Sequence, residues 1–204
     1  MTESPHSPVF MVLDTESSLG PYAREPKTIT VSDLIKMHGH PCDGLFTAAC
    51  ALFVGVRQIY PDGVIDRTDL CCITNNSPCY GDVASYLTGG RIRFGTQKIN
   101  PKLKNEWILH SFSRAKTIRV KLRDGVFPVE LSALEGRIKS GNYEPADIGK
   151  CQKMQWEFAR SLLQEPLDTW FDVTELPDFK WEADDYENIG NRGDVRLKTV
   201  LRDK

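Results

Sequence analysis

The sequence contains no Cys-x-x-Cys pair, although it carries six cysteines at positions 42, 50, 71, 72, 79 and 151. That absence excludes a self-contained zinc ribbon and a thioredoxin-type redox motif. No apolar run reaches the roughly 18 residues needed to span a membrane. The longest, Leu45 to Val56, is interrupted by Thr47 and Gly55, so a membrane partner is not expected. The first residues lack the basic start and apolar stretch of an export signal, and the expected location is the cytoplasm. There the six thiols point to metal binding, catalysis or burial rather than to a disulfide framework. Charge of one sign is missing too: 26 Lys and Arg stand against 28 Asp and Glu, a net charge of −2. With no aromatic-rich basic motif, nucleic acid is not an expected partner. There is no internal repeat and no low-complexity tract.

What is present is a globular composition, 40% hydrophobic and 26% charged over 204 residues. It fits one main domain with an appendage. Residues 1–28 hold Pro5, Pro8, Pro21 and Pro26 among Ser and Thr and read as an irregular N-terminal arm. Residues 29–173 read as the core domain and 174–204 as an acidic C-terminal extension. Six acids between Glu175 and Glu187 face only Lys180, which describes a solvated tail.

Within the core, Ser32 is placed to cap a short helix over 33–37. Leu45, Ala48, Ala49, Leu52, Phe53, Val56 and Ile59 recur at helical spacing and predict a helix over 44–60, with Asp43 as its cap. Asp69 to Thr74 reads as a buried strand, 81–87 as a short helix, and 91–94 and 107–112 as strands. Lys116 to Arg123 alternates cleanly, with Ile118, Val120 and Leu122 on one face and Arg119, Lys121 and Arg123 on the other. Pro128 and Pro145 open helices over 129–139 and 146–163, and 170–173 reads as a last strand. Helices and strands are interspersed without strict alternation. The expected class is therefore α+β, a mixed or antiparallel sheet packed against helices.

Chemistry concentrates in one turn. His38, His40 and Cys42 fall within five residues at the mouth of the long helix. A helix N-terminus carries positive partial charge and favours thiolate over thiol, so Cys42 is a candidate nucleophile and ligand. Imidazole and thiolate suit zinc, with nickel or iron as alternatives. One turn does not complete a site, and Cys79, in a Ser-Pro-Cys loop, is the natural further ligand. Asp82, three residues on, is a candidate ligand, base or orienter of a histidine. The same residues can also serve only as turn and cap. Which imidazole binds is open; closeness to Cys42 and the helix mouth favours His40. Cys50, Cys71, Cys72 and His110 read as packing residues, and Cys151 as a residue without a special role.

A second feature is basic. Residues 91–123 hold ten Lys and Arg against one acid, Glu106. Arg91 and Arg93 follow the Gly89-Gly90 turn and are candidates to bind an anionic small molecule or pterin-like cofactor. The alternative is the solvated outer face of a sheet.

The segment His38-Gly39-His40-Pro41-Cys42-Asp43-Gly44-Leu45 resembles the His-Gly-His-x-Cys-Pro-Gly signature of the formylmethanofuran dehydrogenase E-subunit family. Cys79, then Asp82, then Leu87-Thr88-Gly89 is similar to that family's second motif. The resemblance spans about residues 30–173 and implies an α+β core, a homodimer and a Cys/His-lined cavity able to hold a metal ion. Three departures stand out. Asp43 replaces the proline after the signature cysteine. Arg91-Ile92-Arg93-Phe94-Gly95 replaces a Gly-Lys-rich continuation. The tail after Val173 has no cysteine, so the paired-cysteine zinc module of many members is absent.

Three functions remain in view. The chain is a metal-binding accessory protein or small metalloenzyme of one-carbon or molybdenum/tungsten enzyme metabolism. Alternatively it is a metal-free thiol enzyme with Cys42 as nucleophile, a histidine as base and Cys79 as resolving thiol. As a third option it is a non-catalytic component docking a larger redox enzyme.

Overall fold

The computed structural model describes residues 4–13, 25–92 and 95–182. Along them run β1 (Val9–Leu13), β2 (Lys27–Thr30), α1 (Val31–His38), α2 (Asp43–Ile59), β3 (Val64–Asp66), β4 (Leu70–Thr74) and α3 (Pro78–Thr88). β5 (Gln97–Ile99), β6 (Glu106–Ser111), β7 (Lys116–Leu122), α4 (Val129–Lys139), α5 (Pro145–Leu162) and β8 (Phe171–Glu175) follow. The fold is α+β with two mixed sheets. One has strand order β2-β1-β3, the other β5-β4-β6-β7-β8. In the larger sheet β4 pairs parallel with β5, and the remaining neighbours are antiparallel.

Helix α2 is the organising element. Its expected apolar stripe is inside except for Phe53, which is only partly buried, and Phe46, Thr47, Cys50, Ala51 and Val54 are buried as well. A helix apolar on nearly all sides belongs in the centre of a domain rather than on its surface. Gly55 lets it approach the large sheet closely, since a Cβ there would stand 2.7 Å from Leu109 Cδ1 and Val120 Cγ2. On the facing strands Trp107, Leu109, Ile118 and Val120 are fully buried, as the alternation in β7 requires.

The N-terminal arm is not wholly irregular. Val9–Leu13 forms β1, antiparallel to β2 and parallel to β3. Phe10 and Val12 alternate inward, and Phe10 meets Phe53 of α2 edge-on at 5.7 Å. Proline spacing masked this five-residue alternation. The expected strand over 91–94 is also corrected at its start. Arg91 and Ile92 lie outside any strand, because the Arg91 N–H donates to Thr96 Oγ1 at 2.8 Å and Gly95 adopts a left-handed φ of 63°. The strand comes later, as β5. Arg93 and Phe94 lie outside the described residues.

The tail expected to be solvated begins by lying on the sheet. Beyond β8, the Leu176 N–H donates to Thr117 O, and Trp181 stacks at 6.0 Å on His110. The rest of the acidic extension, from 183, is outside the described residues. Among the described residues no helix is long and apolar enough to cross a membrane.

Candidate metal centre

Two helix ends and one loop build the site. Helix α1 is started by a capping box between Thr30 and Asp33, not by Ser32, and carries His38 in its last turn. Gly39 stops it in the left-handed region, φ 98°, where a side chain would be strained. The chain reverses there and brings the His40 ring back to 4.6 Å from the His38 ring. Two residues on, Cys42 is the N-cap of α2, its sulfur accepting from the Leu45 N–H at 3.4 Å. The cap is thus the cysteine rather than Asp43. Cys79 enters from the first turn of α3, which begins three residues earlier than the sequence predicts, with Pro78 at its start. A proline fits the first turn because its missing N–H has no helical partner there.

These pieces converge. One ligating atom each from His38, His40 and Cys42 lies within 4.8 Å of the others. His38 Nε2 stands 3.7 Å from Cys42 Sγ, and Cys42 Sγ donates to Cys79 Sγ at 3.4 Å. Gly44 makes room for that second sulfur, since a Cβ there would sit 3.1 Å from Cys79 Sγ. Asp82 does not join the cluster directly. Its Oδ2 is 2.8 Å from His38 Nδ1, which turns Nε2 toward the sulfur. A carboxylate on the far nitrogen fixes tautomer and ring orientation, the usual support of a metal-binding imidazole. The His38 side chain is 5% exposed and that of Asp82 44%. His38 is therefore the anchored imidazole and His40 the exposed one, the reverse of what proximity in sequence favours.

The two thiols share a proton unequally. The hydrogen bond from Cys42 holds Cys79 below the ordinary thiol range, against the effect of burial, and His38 adds to the lowering. Cys42 is pushed up, first by the same hydrogen bond and then by burial. The helix terminus does polarise Cys42 through Leu45, but Cys79 is the sulfur that ionises first. A site of imidazole and thiolate donors in this arrangement fits a borderline-soft divalent ion.

A cavity of about 1080 Å³ opens beside the cluster. It is lined by His40, Cys42, Asp43 and Cys79 and, from α4 and α5, by Glu135, Lys139, Cys151 and Trp156. Asp43 is 8% exposed. Burial, reinforced by the charge of Glu135, lifts its carboxyl to about 6. Glu135 and Cys151 were not legible as site residues, since Glu135 is one acid on a surface helix and Cys151 sits among charged neighbours in sequence. Arg91 does not line this cavity. Cys50, Cys71 and Cys72 are fully buried, and His110 Nδ1 is satisfied by Thr117 Oγ1 at 2.8 Å.

The family model described as FmdE, molybdenum formylmethanofuran dehydrogenase operon, matches residues 37–172. The chain belongs to the FmdE family. The match begins one residue before His38 and takes in both motifs and the whole cavity wall. A crystal structure of a tungsten formylmethanofuran dehydrogenase E-subunit (FmdE)-like protein from Syntrophus aciditrophicus is similar at 13% identity, with 80% of this chain and 76% of that one covered and a TM-score of 0.46. No curated protein matches the chain. Within the FmdE family signature this chain carries Asp43 after the cysteine, and that substituted residue faces the cavity.

Proposed function

We propose that this FmdE-family chain is a metal-binding protein, accessory to or a small metalloenzyme in one-carbon or molybdenum/tungsten enzyme metabolism. The observation that carries the reading is the clustering of His38, His40 and Cys42 within 4.8 Å, with Asp82 behind His38. His38 Nε2, Cys42 Sγ and Cys79 Sγ would hold the ion, with His40 as an exposed, exchangeable fourth donor. Zinc is the first choice for that donor set, with nickel and iron as alternatives. When bound, such an ion supplies Lewis-acid polarisation at the cavity wall. Asp82 holds the proton on His38 Nδ1, so that the lone pair of Nε2 faces the site. To serve as a ligand Cys42 would have to release its proton, whereas Cys79 is already held below the ordinary thiol range by the Cys42 hydrogen bond. All six cysteines are free thiols, which supports a reducing, cytoplasmic location. The family's tie to a formylmethanofuran dehydrogenase operon supports a larger redox enzyme as partner, and a homodimer is proposed from the family resemblance.

Metal content of the untagged protein, purified without added metal, tests this reading beside Cys42→Ala and Cys79→Ala. About one ion per chain is expected, lost in both variants. A metal-free wild type under anaerobic, reducing handling overturns it. The 3.4 Å approach of the two sulfurs favours a second reading, a metal-free thiol pair. In that reading Cys79, not Cys42, would alkylate faster near neutral pH.

A further inference from the structure

The loop joining β5 to β6 is a wall with two unlike faces. Pro101, Leu103 and Asn105 line the large cavity beside the Cys/His cluster. The alternate residues Lys102, Lys104 and Glu106 line a second, smaller cavity of about 390 Å³. The end of β7 and the turn after it complete that cavity with Lys121, Arg123 and Asp124, and the Leu122 N–H fastens the two sides by donating to Asn105 O at 2.9 Å. The basic stretch of the sequence converges here, whereas Arg91 lines neither cavity. Four cations meet two acids in the lining, an excess of two positive charges. Asp124 pairs with Lys121 at 2.8 Å, but the Asp124 side chain is 89% exposed and such a pair is weak. Glu106 acts on Lys121 through space, as Lys104 does on Asp124. Arg123 is engaged by Asp172 at 2.8 Å and by Thr169 O at 2.7 Å. Lys102 and Lys104 form no ion pair among the described residues. Charges of one sign on a concave wall focus the field there and draw in an ion of opposite sign. A lysine ammonium is a point charge and suits a tetrahedral phosphate, while a flat carboxylate is matched best by a free guanidinium fork. Here the fork of Arg123 is already in use.

We propose that this second cavity binds the phosphate group of a small organic phosphate, with the amines of Lys102, Lys104 and Lys121 around the dianion. Leu122 and Phe127 of the same lining give the organic part an apolar seat. The site goes beyond the metal reading and does not depend on it. Asn105 and Phe127 belong to both cavity walls, so a single loop separates the bound phosphate from the cavity beside the Cys/His cluster.

The test is a titration of the full chain with phenyl phosphate, benzoate and phenol, followed by amide NMR at low salt and about pH 8, where a phosphate monoester is a dianion. Phenyl phosphate should shift the amides of residues 102–106 and 121–125, and phenol should leave them in place. Benzoate should bind at least about tenfold more weakly than phenyl phosphate, the loss of one charged contact. Added salt should weaken the phosphate complex. Lys102→Gln and Lys104→Gln, both at exposed positions, should each weaken it about three- to fivefold, and together about tenfold or more. Lys36→Gln combined with Lys153→Gln removes the same charge from two exposed sites elsewhere and should leave the affinity within about twofold. All these variants should keep wild-type metal content. No shift in the two segments, benzoate binding as tightly as phenyl phosphate, no loss in the Lys102 and Lys104 double variant, or an equal loss in both lysine pairs overturns the inference. Shifts confined to residues 38–44 and 77–82 overturn it as well, because they place the phosphate at the Cys/His cluster. None of these outcomes decides the metal reading, which stands or falls with the metal content of the wild type and the cysteine variants.

Discussion

His38 is held in place by Asp82, whose Oδ2 lies 2.8 Å from His38 Nδ1 and so turns Nε2 to 3.7 Å from Cys42 Sγ. The pair joins the end of α1 to the first half of α3 through two residues 44 positions apart in sequence. It fixes an imidazole that a five-residue motif alone leaves undirected.

Asp82→Asn should therefore lower metal affinity by about 10–100-fold, the usual cost of losing a supporting hydrogen bond behind a ligand. Stability should hardly change, because the Asp82 side chain is 44% exposed. Competition against a chelator gives the affinity and a thermal melt the stability. Unchanged affinity would assign Asp82 a purely structural contact.

Cys42 has two duties that substitution can separate. It caps α2 through the Leu45 N–H at 3.4 Å and donates to Cys79 at 3.4 Å. Cys42→Ser keeps an acceptor at the cap and should melt close to wild type while binding metal more weakly. Cys42→Ala loses both functions, with a cap cost of about 1 kcal/mol. The difference is read from urea unfolding of the metal-free proteins.

Glycines 44 and 55 of the same helix should respond differently to alanine. At Gly55 a new Cβ would sit 2.7 Å from Leu109 and Val120 side-chain atoms, and overpacking of this kind costs about 1–3 kcal/mol. At Gly44 the tight contacts of the new Cβ are with Cys79, at 3.0 Å from Cβ and 3.1 Å from Sγ. Gly44→Ala should spare the melt and displace the second sulfur, lowering metal affinity. Paired melts and metal titrations separate the two effects.

Much of this was legible in the sequence, and for identifiable reasons. α2 and β7 carry strong periodicity, so their inward faces were readable from Leu45 to Ile59 and from Ile118 to Leu122. The pairing of the His38–Cys42 turn with Cys79 and Asp82 came from two motifs in fixed order. Other features depend on three-dimensional approach. The anchoring of His38 rather than His40 follows from where α3 sets Asp82. The lowering of Cys79 follows from a sulfur contact across 37 residues. Glu135 and Trp156 reach the cavity only because α5 packs on α2 and α4 packs on α5. The strand at Val9–Leu13 was hidden by prolines on either side, and the packing of Trp181 by the acids that surround it.

A last prediction concerns acid. Asp69 is fully buried. Burial alone would raise its carboxyl, but donors from Ser111, Ser113 and Tyr60 outweigh burial and hold it at about 2. Tyr60 Oη and Ser113 Oγ each donate at 2.8 Å, and the Ser113 N–H at 2.7 Å. Because the folded state ionises Asp69 more readily than the unfolded chain does, the unfolded state binds more protons between about pH 2 and 4. Stability from this group is thus present above about pH 4 and lost as the pH falls toward 2, at most about 2–3 kcal/mol. Asp43 runs the other way, since its raised carboxyl makes the fold gain stability as pH falls from about 6 to 4. Urea unfolding at a series of pH values should give wild type a falling stability below about pH 4. Asp69→Asn should be less stable at neutral pH, with that acid slope flattened, and Asp43→Asn should flatten only the slope between about pH 4 and 6. An acid slope unchanged in Asp69→Asn would place the proton uptake elsewhere and reduce the Ser111–Ser113–Tyr60 cluster to neutral hydrogen bonding.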